Sequence, residues 1–257
     1  MMRRILLIAL MFPVAAGATS PQPPRPVAKP EVAAIYPATG AARGLVLFLS
    51  GDGGWNAGVV DMARIVARQG FTVAGLSAPA YLKAAEADPA PCIDLAADLI
   101  RLARQLERQQ RLPERPPIFA GYSSGATMAY AALAQSPPHS VRGAVSLGFG
   151  PDQAGIKPWC AGTGLAARRI TRPEHGWLFS PARSLAVPWL VLQGAQDQVV
   201  NPESTRAFVA SVPTGQLVWL PKVGHGFSVP RNWVPQFSAA FNGLLKPAPP
   251  AAQRPVP

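Results

Sequence analysis

"FAGYSSGAT", Phe119 to Thr127, sets a serine between two glycines directly after a short apolar run. Gly121-Tyr122-Ser123-Ser124-Gly125 has the form G-x-S-x-G and occurs once in the chain. In a strand-turn-helix setting this pattern lifts a serine hydroxyl above the end of a sheet, with glycines where a side chain would collide. A five-residue match can also be a small-residue turn, so the rest of the chain has to supply the setting, a base, an acid and oxyanion donors.

The setting is present on both sides. "PPIFAG" reads as the strand that feeds the serine and "SGATMAYAALAQ" as the helix that leaves it. Outward from there, "GLVLFLS" (44–50), "FTVAGLS" (71–77), "VRGAVSLG" (141–148), "PWLVLQG" (188–194) and "GQLVWL" are short apolar runs of buried-strand length. Between them, residues 57–70, 93–110 and "NPESTRAFVASV" carry helical spacing, and "WVPQFSAAFNGLL" closes the series. Alternating strands and helices predict an α/β domain over residues 31–245, a mostly parallel sheet covered on both faces. Residues 149–187 break the rhythm with proline, glycine and arginine and no sustained period, so they are expected to form an irregular lid-like insertion.

Composition bounds the rest. A chain of 257 residues that is 49% hydrophobic suits one sizeable core. The net charge is +11 although only 14% of residues are charged. That basicity fits a solvated surface or an anionic membrane face; with no helix-turn-helix, zinc-finger or aromatic RNA-binding signature, nucleic acid is not an expected partner. "MMRRILLIALMFPVAAGATS" reads as a secretory signal peptide over residues 1–18: Arg3 and Arg4, an apolar core, then Ala16-Gly17-Ala18 as the cleavage site. Residues 19–30 and 246–257 are too proline-rich to pack and read as a linker and a disordered tail. The mature protein is therefore expected to be soluble and periplasmic, where Cys92 and Cys160, the two cysteines, would form a disulfide tying two loops.

A serine hydroxyl needs a base, and the base needs an acid to hold its tautomer. Of the three histidines, His139 lies in the "SPPHS" turn and His175 in the insertion, whereas His225 follows the last strand between Gly224 and Gly226. Asp197, in "LVLQGAQDQVV", sits just past the preceding strand. The order Ser123, Asp197, His225, each just after a strand, is the order this scaffold requires. The oxyanion donors are expected to be the backbone N–H groups of Ser124 and, in "SGDGGW", Asp52, with Gly51 and Gly53 as alternatives. Asp52, Gly53, Trp55 and Tyr122 are expected to border the substrate. The Asp52 carboxylate would oppose a developing oxyanion, so it should either cap the following helix or meet a cationic substrate group. This chemistry calls for no metal and no cofactor.

"FLSGDGGW" together with "GYSSGA" resembles the bacterial virulence-associated VirJ/AcvB family over most of residues 44–245. The resemblance implies an exported α/β-hydrolase whose serine, acid and base are Ser123, Asp197 and His225. It also implies a link to hydrolysis of aminoacyl-phosphatidylglycerol, notably the lysyl lipid, and to virulence and type IV secretion. Expected partners are then a small-molecule or lipid ester and an anionic membrane surface, with Arg168 and Arg169 of the insertion as candidates for a phosphate. The residues leave two other readings open: a general carboxylesterase for small or cell-wall-linked esters, and a non-catalytic binding protein that retains the triad.

Overall fold

The computed structural model describes residues 30–172 and 174–244. The signal peptide, nearly all of the linker and the proline-rich tail expected from the sequence lie outside the described residues. The strands are β1 (Val32–Tyr36), β2 (Leu45–Leu49), β3 (Thr72–Leu76), β4 (Ile118–Tyr122), β5 (Gly143–Leu147), β6 (Asp152–Ala154), β7 (Ala167–Ile170), β8 (Gly176–Phe179), β9 (Trp189–Gly194) and β10 (Gly215–Leu220). The helices are α1 (Ala57–Ala67), α2 (Ala78–Ala87), α3 (Leu95–Gln109), α4 (Ser124–Gln135), α5 (Pro202–Ala210) and α6 (Val234–Leu244).

Seven strands form the main sheet in the order β1-β3-β2-β4-β5-β9-β10. All neighbours are parallel except β1, which pairs antiparallel with β3 at the edge. Alternate side chains of a strand point to opposite faces, so β2 sends Leu45, Leu47 and Leu49 into one core and Val46 and Phe48 into the other. α3 and α4 bury the first core, where Tyr130, Phe149, Trp189 and Phe208 cluster; α1 and α6 bury the second, with Phe71 edge-on to Phe241. α4 is small and apolar because it is enclosed almost all round: every residue from Gly125 to Gln135 is buried. Helix starts follow capping chemistry, with Asp94 accepting from Ala97 N–H at 3.1 Å and Asn201 from Ser204 N–H at 2.9 Å.

Each strand and helix expected from periodicity is present, and the α/β class holds. Two elements were not expected: β1 and α2. The insertion also differs from its reading as irregular chain, because it carries a second, three-stranded antiparallel sheet in the order β6-β8-β7. Cys92 and Cys160 form a disulfide with Cα atoms 5.1 Å apart, tying the α2–α3 connection to the insertion. Around it, Gln135 Nε2 donates to the carbonyls of Ile93 and Cys160 at 2.8 Å each, and Lys157 Nζ to those of Ala85 and Asp88. The base of the lid is thus fastened to the helical layer by side chains as well as by sulfur.

Candidate active site

The glycines of the serine motif are where the packing is tightest. A Cβ on Gly121 would lie 2.0 Å from the Gly125 carbonyl oxygen, and a Cβ on Gly125 would lie 2.2 Å from that of Ser50. Neither position has room for a side chain. Between them the chain reverses at Ser123, which has φ 55° and ψ −126°, a conformation costly for a non-glycine residue. The Ser123 N–H donates to the Leu147 carbonyl at 2.9 Å, which anchors the turn to β5.

Three side chains from three loops at the carboxyl ends of β4, β9 and β10 meet here. His225 Nε2 is 2.9 Å from Ser123 Oγ, and His225 Nδ1 is 2.8 Å from Asp197 Oδ2. Asp197 is buried and also accepts from Val199 N–H and Val200 N–H at 2.9 Å and from Gln193 Nε2 at 3.1 Å. Burial works against its ionisation, but the Val200, His225 and Val199 donors outweigh it and hold the carboxyl below its ordinary range. An ionised Asp197 takes the Nδ1 proton of His225 as a donor, leaving Nε2 to accept from the Ser123 hydroxyl. Tyr122 packs its ring 5.5 Å from that of His225 and edge-on to Phe227, and Gly148, at φ 66°, leaves the other side of the imidazole room.

The Ser50–Trp55 loop runs close beside the serine. A Cβ on Gly51 would lie 3.1 Å from Ser123 Cβ, and a turn from Gly51 to Gly54 closes by a 3.0 Å hydrogen bond. Ser50 fixes the loop's root, its buried Oγ accepting from Ala78 N–H at 3.0 Å. Ser124, the first residue of α4, has an N–H that the helix itself leaves unbonded. Asp52 and Ser124 both line a cavity of about 630 Å³ that opens over Ser123. α1 begins at Asn56 without a side-chain cap, so of the two roles considered for the Asp52 carboxylate, capping is not the one it fills.

The remaining expectations divide. Gly53 and Trp55 are not among the described residues that line the cavity. Trp55 instead lies over Gly75, where a Cβ would come within 2.1 Å of the indole, and its Nε1–H donates to Tyr36 Oη at 3.1 Å. Tyr122 touches the histidine rather than the cavity wall. Arg168 and Arg169 are exposed on β7, the strand of the small sheet separated from β6 by β8. Sequence reasoning missed Asp152 and Glu174, two lid carboxylates on the cavity wall. Neither stands in a motif, and the insertion is no richer in acidic residues than the chain as a whole, so the sequence carried no signal for them. With Asp52 they make three carboxylates, and no lysine or arginine is among the described residues lining the cavity.

Sheet order, serine elbow and the hydrogen-bonded Ser–His–Asp string are those of a serine hydrolase on an α/β-hydrolase sheet. Residues 44–150 match the family described as bacterial virulence protein (VirJ), and residues 114–234 match serine hydrolase (FSH1). The chain is VirJ-like, as its glycine block suggested. Among solved structures it resembles the esterase domain of a Rhodothermus marinus protein, at 14% identity over 80% of this chain and 88% of that one, TM-score 0.51. It also resembles esterase 2 of Thermogutta terrifontis, at 17% identity over 88% and 98%, TM-score 0.52. A third is an α/β serine hydrolase homologue from Coxiella burnetii, at 17% identity over 82% and 90%, TM-score 0.50. At such identities the likeness is one of fold. No curated protein matches the sequence.

Proposed function

We propose that the protein is a periplasmic serine esterase in which Ser123 is the nucleophile, His225 the base and Asp197 the acid. The observation that carries this reading is the continuous string from Ser123 Oγ through both ring nitrogens of His225 to a buried carboxylate. His225 takes the Ser123 proton as Oγ attacks the ester carbonyl. The N–H groups of Ser124 and Asp52 meet the oxyanion, a contribution of roughly 3–4 kcal/mol per donor. His225 returns the proton to the departing alkoxide, and water repeats the sequence on the acyl-enzyme. The leader-like residues 1–18 and the Cys92–Cys160 bridge support an exported enzyme. Among the described residues no helix is long and apolar enough to cross a membrane.

For the substrate we infer an aminoacyl ester such as lysyl-phosphatidylglycerol, a reading supported by the family resemblance and by the acidic lining of the cavity. Asp52, Asp152 and Glu174 supply counter-charge for an ammonium group a few bonds from the ester carbonyl. The basic chain suits an anionic leaflet, where each lysine or arginine near the surface contributes on the order of 1 kcal/mol. A general carboxylesterase is the second reading, favoured by the size of the cavity, about 630 Å³, which admits small esters of many kinds.

Two assays separate these. A fluorophosphonate probe should label the purified protein at Ser123 and leave folded Ser123→Ala unlabelled; an unlabelled wild type would reduce the protein to a binding module. Incubation with lysyl-phosphatidylglycerol should release lysine, more slowly in Asp52→Asn. Rapid cleavage of a short-chain ester without lysine release would leave the general esterase.

A further inference from the structure

Gln193, near the end of β9, is fully buried and shares one face of the sheet with Trp189 and Val191. A buried amide on an apolar strand face costs stability unless its polar atoms are bonded. Its Nε2 donates to the Gly194 carbonyl at 3.2 Å and to Asp197 Oδ2 at 3.1 Å. Both partners are acceptors, so the nitrogen, not the oxygen, must face them. The strand thus ends in a donor aimed at the acid.

Asp197 Oδ2 is also the atom that His225 uses, 2.8 Å from Nδ1, while the N–H groups of Val199 and Val200 hold Oδ1. The loops that carry acid and base are fastened by backbone alone: Ala195 N–H donates to the Leu220 carbonyl and Gln196 N–H to that of Val223, each at 3.0 Å. Losing the Gln193 amide therefore leaves both loops tied, and what changes is the carboxylate itself. We propose that Gln193 is a positioning residue of the reaction. It fixes the angle of Asp197 Oδ2 to the imidazole and, by drawing on the same oxygen, limits how firmly the acid holds a proton on His225. This rests on the serine-esterase reading and deepens it. A donor to an ionised carboxylate spreads its charge; without the amide, that charge falls on the His225 Nδ1–H alone and favours the imidazolium. The other charged or titratable groups around the pair are Tyr122 on β4, whose hydroxyl is pushed up by burial and by Asp197, and Asp52, Asp152 and Glu174 on the cavity wall. Lys222, on the His225 loop, is exposed. These groups are the same in wild type and in a Gln193 variant, so a difference in pH profile belongs to Gln193.

The experiment follows the rate of fluorophosphonate labelling of Ser123 against pH in wild type, Gln193→Met and Gln193→Glu. Labelling needs His225 to take the serine proton, so its acidic limb reports the base whatever the natural ester is. Gln193→Met, similar in volume but without a donor, should move that limb up by roughly half a unit to one unit and lower the plateau rate about tenfold. Gln193→Glu can donate to Oδ2 only while its new carboxyl keeps its proton, so its labelling should fall on the alkaline side where wild type stays flat. An acidic limb that stays in place in folded Gln193→Met overturns the proposal even if the plateau drops, because a merely structural defect slows the reaction without moving the limb. Should Gln193→Met not fold, Gln193→Glu decides: an alkaline side as flat as that of wild type, with the fold intact by circular dichroism, overturns the proposal. Folded wild type that is never labelled overturns the esterase reading and this proposal together. Labelled wild type whose variants match it overturns this proposal alone.

Discussion

Ser123 holds a backbone conformation that suits glycine better than serine, with φ 55°. Ser123→Ala should therefore abolish turnover while leaving the melting temperature close to wild type, because the strain stays. Ser123→Gly should be equally inactive yet up to about 1 kcal/mol more stable in a denaturant titration, because the strain is relieved. Asp197→Asn should lower kcat by orders of magnitude through the histidine tautomer while leaving the nucleophile present. The carboxyl of Asp197 is depressed in the fold, so its contribution to stability is present above its ordinary value of 3.8 and is lost as pH falls through its folded value. Asp98 has the opposite sign. Buried beneath Tyr81, whose hydroxyl donates to it at 2.7 Å, and paired with Arg101, it is raised to about 6, chiefly by burial. Its ionisation costs stability above that pH, and the cost disappears as the pH drops toward the carboxyl range. Asp98→Asn should accordingly raise the melting temperature at pH 8, keep part of that advantage at pH 5 and lose it near pH 4. The hydrogen-bonded string Ser123–His225–Asp197 was legible because each of its members follows a short apolar run of strand length. Asp152 and Glu174 were not, since their place on the cavity wall depends on how the insertion folds back, which no local spacing encodes.

Among the elements, the lid is the one whose attachment can be tested directly. Its disulfide closes a separation of 68 residues, for which chain entropy gives on the order of 4 kcal/mol at most. Reduction, or the Cys92→Ser/Cys160→Ser double variant, should lower stability by less than that. Gln135 and Lys157 continue to hold the same backbone when the sulfurs part. Thermal melts with and without reductant check this, and an unchanged midpoint would mean that those side chains suffice. The buried parallel strands and the amphipathic helices could be read from periodicity. β1 escapes that reading: "VAAIY" is a five-residue apolar run, but it has no alternation, stands next to the proline-rich linker and is only half-buried at the sheet edge. α2 has Pro79 in its first turn and is half alanine, a weak pattern. The lid strands are three or four residues long and gain their order from pairing across the insertion.

At the scale of the whole molecule, a chain of net charge +11, or +9 once Arg3 and Arg4 leave with the expected leader, carries over Ser123 a cavity walled by carboxylates. The outer surface should bind anionic vesicles of phosphatidylglycerol and not neutral phosphatidylcholine, and high salt should release it, as sedimentation at two ionic strengths would show. The net charge and the fold class could be read from composition and periodicity; the inversion of sign inside the cavity required the fold.

The sheet also has two unlike ends. Ser123, Asp197, His225, the Gly51–Gly54 turn and the lid all gather where the parallel strands finish. At the opposite end, the chain entering β4 passes through Pro113, Glu114, Arg115 and Pro116, all exposed. An affinity handle inserted between Pro113 and Glu114 would leave the chemistry untouched, since exposed loop tips accept insertions best. Tethered there, the protein would stand on a bead or electrode with its cleft facing outward, a defined orientation that attachment through its many scattered arginines would not give.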